Sequence, residues 1–162
     1  MNIITSITTT PLGPIQITTR DSQLEKIEFV SDSTKPSLDN KHKNIYQALK
    51  NYFETSKYCF DLSINLIGTP FQQKVWQALT EIPIGQTLTY KDIAKKLNTS
   101  PRAVGNACRR NPIPVVIPCH RVVAQSHLGG YAGKTCGKLM NIKTWLLKHE
   151  GYNKIDRATR NR

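Results

Sequence analysis

The chain has 162 residues, of which 38% are hydrophobic and 21% charged, and its formal net charge at pH 7 is +12. A chain of this length can bury a core without disulfide or metal staples. None of its apolar runs approaches the ~20 residues that a membrane-spanning helix needs. The N-terminal stretch also lacks the basic start and apolar core of an export signal, so we expect a cytoplasmic protein with no membrane partner.

The first domain is expected to be a small antiparallel α/β unit over residues 1–68. Residues 2–30 alternate apolar and polar side chains in two or three short segments, which predicts strands joined by tight turns. Ile45, Leu49 and Phe53 recur every four positions and predict a helix near residues 37–54. The segment FDLSINL, residues 60–66, predicts one more strand. Cys59 next to it is expected to be a small core residue.

The second domain, residues 69–152, has the pattern of short helices. Helix starts are predicted at Thr69 and Thr89, each with a capping-box partner three residues on, and at Ser100, where proline follows at the first helical position. The second and third of these helices are separated by a three-residue turn, which is typical of a helix-turn-helix.

Positive charge is concentrated in this second part of the chain. Residues 1–69 carry seven Lys/Arg and seven Asp/Glu, whereas residues 70–162 carry sixteen Lys/Arg and four Asp/Glu. Such a field favours a polyanion, and nucleic acid is the commonest soluble one. A merely solvated basic surface is the alternative. Residues 153–162 form a basic tail that we expect to be disordered.

The segment NPIPVVIPCHRVV, residues 111–123, places Cys119 beside His120 within a buried-looking run. Residues 115–117 have the β-branched composition of a short strand. Neighbouring residues of a strand point to opposite faces, so a contact between the thiol and the imidazole needs a bend after Pro118 or a bridging water. An inert core cysteine is the simpler interpretation of the composition alone. The four cysteines show neither a CxxC pair nor zinc-ligand spacing, so we expect free thiols.

The segments TPFQQKVWQALTEIPIGQTLTYKDIAKKL, PRAVGNACRR and NPIPVVIPCHRVV strongly resemble the O6-alkylguanine-DNA alkyltransferase family, and the match runs from about Thr69 to Gly151. The resemblance implies an RNase H-like α/β first domain and a mainly helical second domain with a helix-turn-helix. It also implies repair of O6-alkylguanine in double-stranded DNA by a monomer that uses no cofactor and no metal. O4-alkylthymine is a further candidate substrate.

By this resemblance Cys119 is the alkyl acceptor, its sulfur held ionised, and it keeps the alkyl group as a thioether after a single turnover. His120 would take the thiol proton through a water, and Glu150 would orient the imidazole. Asn111 would tie the recognition helix to the active-site segment. Tyr90 would rotate the target phosphate and donate a proton toward guanine N3.

The resemblance also assigns contacts to DNA and to the extruded base. Arg102 would fill the vacated stack, Tyr131 would hold the base, and the Val122 carbonyl would accept a hydrogen bond from the guanine amine. The remaining positions assigned to DNA or base contact are Ala103, Gly105, Cys108, Arg109, Pro114 and Arg121.

The chain differs from relatives at several of these positions. Cys108 adds a second thiol to the alkyl pocket, Ala132 replaces a serine, and the loop over residues 132–144 is longer than in the shortest members; Cys136 in this loop is expected to have no role in the reaction.

Two other classes of function stay open. One is a non-catalytic binder of alkylated DNA, although such proteins lack the acceptor cysteine. The other is a Cys-His hydrolase, which would turn over repeatedly.

Overall fold

The computed structural model describes residues 1–152, and these divide into two compact units. The first unit comprises Met1–Ile67 together with Pro112–Pro114, and the second comprises Gly68–Asn111 and the described residues 115–152. The sequence analysis had placed residues 112–114 in the second domain. The predicted basic tail, residues 153–162, lies outside the described residues.

The first unit is built on a three-stranded antiparallel sheet in the order β1-β2-β3. Its strands are β1 (Ile3–Thr10), β2 (Gly13–Arg20) and β3 (Gln23–Phe29). Asp21 and Ser22, with φ of 49° and 67°, form the two-residue turn between β2 and β3, because two left-handed residues match the twist of a tight hairpin. The predicted strands of residues 2–30 are confirmed.

Helix α1 (Lys43–Glu54) follows a 3-10 turn (Asn40–His42) and contributes one face to the core of this unit. Ile45, Ala48, Leu49 and Tyr52 are buried at helical spacing. The helix begins six residues later than predicted, because Asp39 caps the 3-10 turn that precedes it.

The strand predicted for residues 60–66 is wrong. The segment makes only an isolated bridge to Leu24, which donates to the Ser63 carbonyl at 2.8 Å and accepts from the Asn65 amide at 2.8 Å. Cys59 is exposed rather than part of the core.

The segment Pro112–Pro114 completes the first unit. The Ile27 amide donates to the Pro112 carbonyl at 3.0 Å, and Ile113 is 0% exposed. A segment of three residues, far along the chain from β3, is therefore part of this core.

The second unit contains four helices among the described residues: α2 (Pro70–Thr80), α3 (Tyr90–Lys96), α4 (Pro101–Arg109) and α5 (Lys138–His149). Two short parallel strands, β4 (Leu88–Thr89) and β5 (Val122–Val123), pair beside them. Trp76 on α2 is buried and donates to the Ala107 carbonyl of α4 at 2.8 Å. The mixed α/β fold class with a helix-turn-helix, predicted from the sequence, is confirmed. None of the helices in residues 1–152 combines the length and apolarity of a membrane span.

Side-chain caps define the starts of α2, α3 and α4. Thr69 and Gln72 form a capping box at α2, Thr89 and Asp92 form another at α3, and Ser100 caps α4. These three predicted helix starts are confirmed. Only residues 97–100 separate α3 from α4, and two helices joined by so short a turn have the arrangement of a helix-turn-helix, with α4 as the recognition helix.

The strand predicted for residues 115–117 is wrong, since Val115 and Val116 form a turn. Val115 has a φ of 73°, in the left-handed region that a β-branched side chain rarely adopts. Its side chain is nevertheless buried. Packing therefore maintains a strained backbone four residues before Cys119, at a cost of about 1–3 kcal/mol.

Candidate active site

A cavity of about 110 Å³ in the second unit brings together four parts of the chain. Its wall is formed by the start of α3, the middle and end of α4, the 3-10 turn after Pro118, and the loop between β5 and α5. The lining residues are Tyr90, Gly105, Cys108, Arg109, Cys119, Gly130, Tyr131, Ala132 and Gly133. The cavity thus contains six of the site residues predicted from the sequence.

Cys119 reaches the cavity through a sharp bend at Pro118. The Cys119 amide donates to the Ile117 carbonyl at 2.8 Å, and Pro118 has φ −83° and ψ 64°, the geometry of an inverse γ-turn. The 3-10 turn Cys119–Arg121 follows. Cys119 and His120 are therefore not successive residues of an extended strand, and the bend that the thiol-imidazole arrangement requires is present.

The Cys119 thiol is 7% exposed, and its burial raises its pKa. A hydrogen bond from the Asn111 side chain and the charge of Lys143 act in the opposite direction without reversing the shift. Burial therefore favours the neutral thiol over the thiolate, and the expectation of a sulfur held ionised stays a prediction. Ionisation has to accompany the approach of a base.

His120, Arg121 and Glu150 form a buried cluster, the Glu150 cluster, next to this turn. His120 Nε2 lies 2.7 Å from Glu150 Oε1, Arg121 Nε lies 2.9 Å from Glu150 Oε2, and Arg121 Nη2 lies 2.8 Å from Glu150 Oε1. The cluster is closed by Arg121 Nη1, which donates to the Ile82 carbonyl at 2.7 Å. A single carboxylate thus orients both side chains.

The charges of the Glu150 cluster follow from burial and hydrogen bonding. Burial favours the neutral form of Glu150, but the hydrogen bonds from His120 and Arg121 and the charge of Arg121 outweigh it and lower the pKa of the carboxyl. Burial lowers the pKa of His120 more than Glu150 raises it, so the imidazole is neutral. An ionised carboxylate can only accept, so the proton of His120 is on Nε2. Nδ1 is left as an acceptor, and it is buried without a hydrogen-bond partner in residues 1–152.

The prediction that Arg121 contacts DNA or the base is wrong. Arg121 is 7% exposed, and its guanidinium is engaged by Glu150 and by the Ile82 carbonyl. The resemblance assigned Arg121 to DNA or base contact, but its role in the fold is to neutralise the buried carboxylate.

Asn111 connects the end of α4 to the bend that carries Cys119. Its Nδ2 donates to the Ile117 carbonyl at 2.8 Å, and its side chain also hydrogen-bonds to the thiol. The position of the sulfur therefore depends on the same amide that anchors the recognition helix.

Tyr90 is the first residue of α3, and its ring forms one wall of the cavity. Burial raises the pKa of its phenol to about 12. The phenol therefore keeps its proton across the physiological range. Its OH lies 3.5 Å from the Gly130 carbonyl, a long hydrogen bond that a better acceptor can replace.

The second thiol, Cys108, is buried in α4 and lines the same cavity. Burial raises its pKa, and it stays a neutral thiol at pH 7. Its position therefore supplies a polarisable wall to the cavity, and its burial disfavours attack by its sulfur.

The remaining predicted residues do not line the cavity. Arg102 is exposed and Ala103 half-buried on α4, while Pro114 belongs to the first unit. Val122 has a fully buried side chain, and its carbonyl accepts from Lys143 Nζ at 2.7 Å. A carbonyl has two lone pairs, so the predicted hydrogen bond from a guanine amine stays a prediction.

Lys143 is a site residue that the sequence analysis missed. It lies on the buried face of α5 and is 0% exposed. A signal was present, because Leu139, Leu146 and Leu147 lie at i−4, i+3 and i+4 from this lysine and place it on the apolar stripe of the helix. Lysine side chains are almost never fully buried unless they are paired with other polar groups.

Gly129 sets how closely the loop approaches Tyr90. Its φ is 73°, and a Cβ there would lie 2.9 Å from Tyr90 Cε2. We expect Gly129→Ala to displace the ring and slow alkyl transfer about tenfold, since misplacement of active-site groups by an ångström has effects of this order. A single-turnover assay measures the rate.

Gly137→Ala is the matched control for this substitution. Gly137 has a similar φ of 85°, but nothing lies within 4 Å of the added Cβ. The two variants should lose similar stability, and only Gly129→Ala should lose transfer rate. Equal transfer rates in the two variants would show that the close approach of Gly129 to the Tyr90 ring does not affect alkyl transfer.

Among residues 1–152, no group of three or more His, Cys, Asp and Glu side chains is arranged to hold a metal ion. The site therefore consists of a cavity-facing thiol, a neutral imidazole with one acceptor nitrogen, and a phenol that retains its proton.

Known proteins are similar to this chain in both sequence and fold. A family model described as the 6-O-methylguanine DNA methyltransferase DNA-binding domain matches residues 70–152. A methylated-DNA–protein-cysteine methyltransferase of Metallosphaera sedula is 37% identical over 143 residues, which cover 87% of this chain and 88% of the relative. The crystal structure of Mycobacterium tuberculosis O6-methylguanine methyltransferase has a TM-score of 0.80 at 31% identity, covering 92% of this chain and 93% of that one.

The Mycobacterium tuberculosis protein has also been solved in complex with DNA, and that structure has a TM-score of 0.77 at 34% identity, with coverage of 91% and 92%. The chain therefore belongs to the methylated-DNA–protein-cysteine methyltransferase family.

Proposed function

We propose that this protein repairs O6-alkylguanine in double-stranded DNA by moving the alkyl group irreversibly to Cys119. The observation that carries the proposal is the buried Nδ1 of His120, an acceptor without a partner in residues 1–152, next in the chain to a neutral thiol that lines a cavity. A base poised in this way suits a nucleophile that must lose its proton during the reaction.

The transfer would begin with the Cys119 proton, which passes through a water to Nδ1 of His120 as sulfur attacks the alkyl carbon. The bond from carbon to O6 breaks, and the electron pair stays on guanine. Glu150 stabilises the imidazolium that forms, as the carboxylate does in catalytic triads. The phenol of Tyr90 donates its proton toward guanine N3, so that a neutral guanine remains in the DNA. The imidazolium then loses its proton to water, and the Tyr90 phenolate regains one. The thioether on Cys119 has no route back, and each molecule acts once.

The alkyl carbon can reach Cys119 only if the nucleotide is extruded from the stack. The basic second part of the chain would hold the phosphates, and α4 would present Arg102 to the duplex. Its exposed position near the start of α4 supports this role. Tyr131 and Arg109 line the cavity that would receive the base.

Mapping of the transferred group tests the proposal. The protein is incubated with a duplex that contains one O6-methylguanine, and the modified peptide is identified by mass spectrometry. We expect one methyl group per protein molecule, on Cys119. A methyl group on Cys108, or continued turnover as in a hydrolase, would reject the proposal.

Arg102→Ala should slow repair of duplex DNA about tenfold, because extrusion of a base costs a few kcal/mol that this side chain would offset. The rate with free O6-alkylguanine base should not change. Arg110→Ala is the matched control, since it removes an exposed arginine from the end of the same helix. If Arg102→Ala slows both substrates equally, Arg102 does not fill the stack.

Several finer predictions belong to the same proposal. We propose that the protein acts as a monomer in the cytoplasm, that Asn111 positions the thiol, and that O4-alkylthymine is a further substrate. The domain division at residues 68 and 69 assigns the chemistry to the second domain.

A further inference from the structure

Lys143 is a buried cation that none of the proposed steps uses. Its side chain is 0% exposed, and burial lowers its pKa to about 8, so that the ammonium form still predominates at pH 7. No carboxylate of residues 1–152 lies within ion-pair distance of it. Burial of an ammonium group without a carboxylate partner is unfavourable, and such a residue requires an explanation.

The hydrogen bonds of Lys143 join two sides of the active site. Nζ donates to the Val122 carbonyl at 2.7 Å and to the Gly130 carbonyl at 2.9 Å. Val122 directly follows the turn that carries Cys119, and Gly130 lines the cavity and also accepts from Tyr90. The ammonium group of Lys143 thus links the turn that carries Cys119 to the loop at Gly130, on the other side of the cavity.

The charges of the site leave Lys143 unmatched until Cys119 ionises. In the Glu150 cluster the carboxylate is balanced by Arg121, and His120 is neutral. Cys108 and Tyr90 are neutral as well. The titratable groups that interact with Lys143 are Cys119, Cys108 and His120. Of the two thiols that interact with Lys143, Cys119 is the one beside a base, so its thiolate would supply the counter-charge.

We propose that Lys143 is a positioning residue that holds the Val122 and Gly130 carbonyls and supplies the positive charge against which the Cys119 thiolate forms. This inference rests on the proposed role of Cys119 as acceptor. Proton transfer to His120 alone would place the thiolate in a low-dielectric site, where a nearby cation stabilises it strongly.

The reactivity of Cys119 toward iodoacetamide tests the proposal without DNA. The rate of carbamidomethylation of the Cys119 peptide is measured by mass spectrometry as a function of pH. In Lys143→Met, which removes the charge but keeps a similar length, we expect the midpoint of this profile to rise by about one pH unit or more. The rate at pH 7 should fall about tenfold, since the thiolate is the reactive form.

Two further variants separate charge from packing. Lys148→Met removes the same charge from the exposed side of α5 and should leave the profile unchanged. Lys143→Gln keeps a hydrogen-bond donor without the charge and should shift the midpoint as Lys143→Met does. Should Lys143→Met fail to fold, the glutamine variant decides the outcome.

A midpoint that stays within 0.3 pH units of wild type in a folded Lys143→Gln or Lys143→Met variant would overturn the proposal, whatever the loss of stability. Failure of the proposed function gives a different result, since wild-type Cys119 would then show the lysine-dependent profile but acquire no methyl group from alkylated DNA.

Discussion

Replacement of Cys119 by alanine is expected to abolish alkyl transfer to below detection, because no other thiol in the cavity is placed beside a base. Cys108 lines the same cavity, but burial raises its pKa. The DNA-binding helices do not depend on the sulfur, so the variant should still bind an alkylated duplex. A single-turnover assay and a gel-shift assay measure the two properties.

Cys108→Ala is the matched control, since it removes the other buried thiol of the cavity. It should still accept one equivalent of alkyl group. If Cys119→Ala still accepted the alkyl group, or if only Cys108→Ala lost alkyl transfer, then Cys108 and not Cys119 would be the acceptor.

Replacement of Glu150 by glutamine is expected to lower the free energy of unfolding by about 3 kcal/mol or more, because it leaves the buried Arg121 guanidinium without its counter-charge. Alkyl transfer should also slow about 100-fold, since a neutral amide does not stabilise an imidazolium at His120. Denaturant unfolding and a single-turnover assay give the two numbers.

Glu81→Gln makes the same chemical change in an exposed ion pair. Glu81 pairs with Lys96, and both side chains are more than half exposed. We expect a loss of stability below about 0.5 kcal/mol and no change in transfer rate. Equal losses in Glu81→Gln and Glu150→Gln would mean that the Glu150 cluster has no special energetic role.

The dependence of stability on pH provides a second measurement of the same cluster. The pKa of Glu150 is lowered in the folded state, so its stabilising contribution is fully present above the unfolded-state pKa of about 4.3. The contribution is lost as the pH falls from there through the folded-state pKa. The unfolding free energy of the wild type should therefore fall more steeply below pH 5 than that of Glu150→Gln.

The parts of the fold that the sequence predicted are those determined by neighbouring residues. Thr69, Thr89 and Ser100 each define a helix start through contacts three residues away, and these predictions were correct. The strand predicted for residues 60–66 failed because alternation does not show whether a partner is available along its length.

The active site was predictable in its residue types and not in its charges. The segment around Cys119 predicted a nucleophile and a base, whereas the burial that keeps the thiol neutral depends on α4 and α5, which are distant in sequence. Arg121 was misjudged and Lys143 was missed for a related reason, because the sequence alone does not show which cations are buried by partners distant in the chain.

The packing of Ile113 and of the Pro112 carbonyl with β3 has a consequence during synthesis. About eighty residues separate Ile27 from this segment, and loop closure over such a distance slows folding. The N-terminal sheet cannot finish its core until the ribosome has released the segment just ahead of Cys119. The sheet therefore completes its core at about the same point of synthesis at which Cys119 is added to the chain.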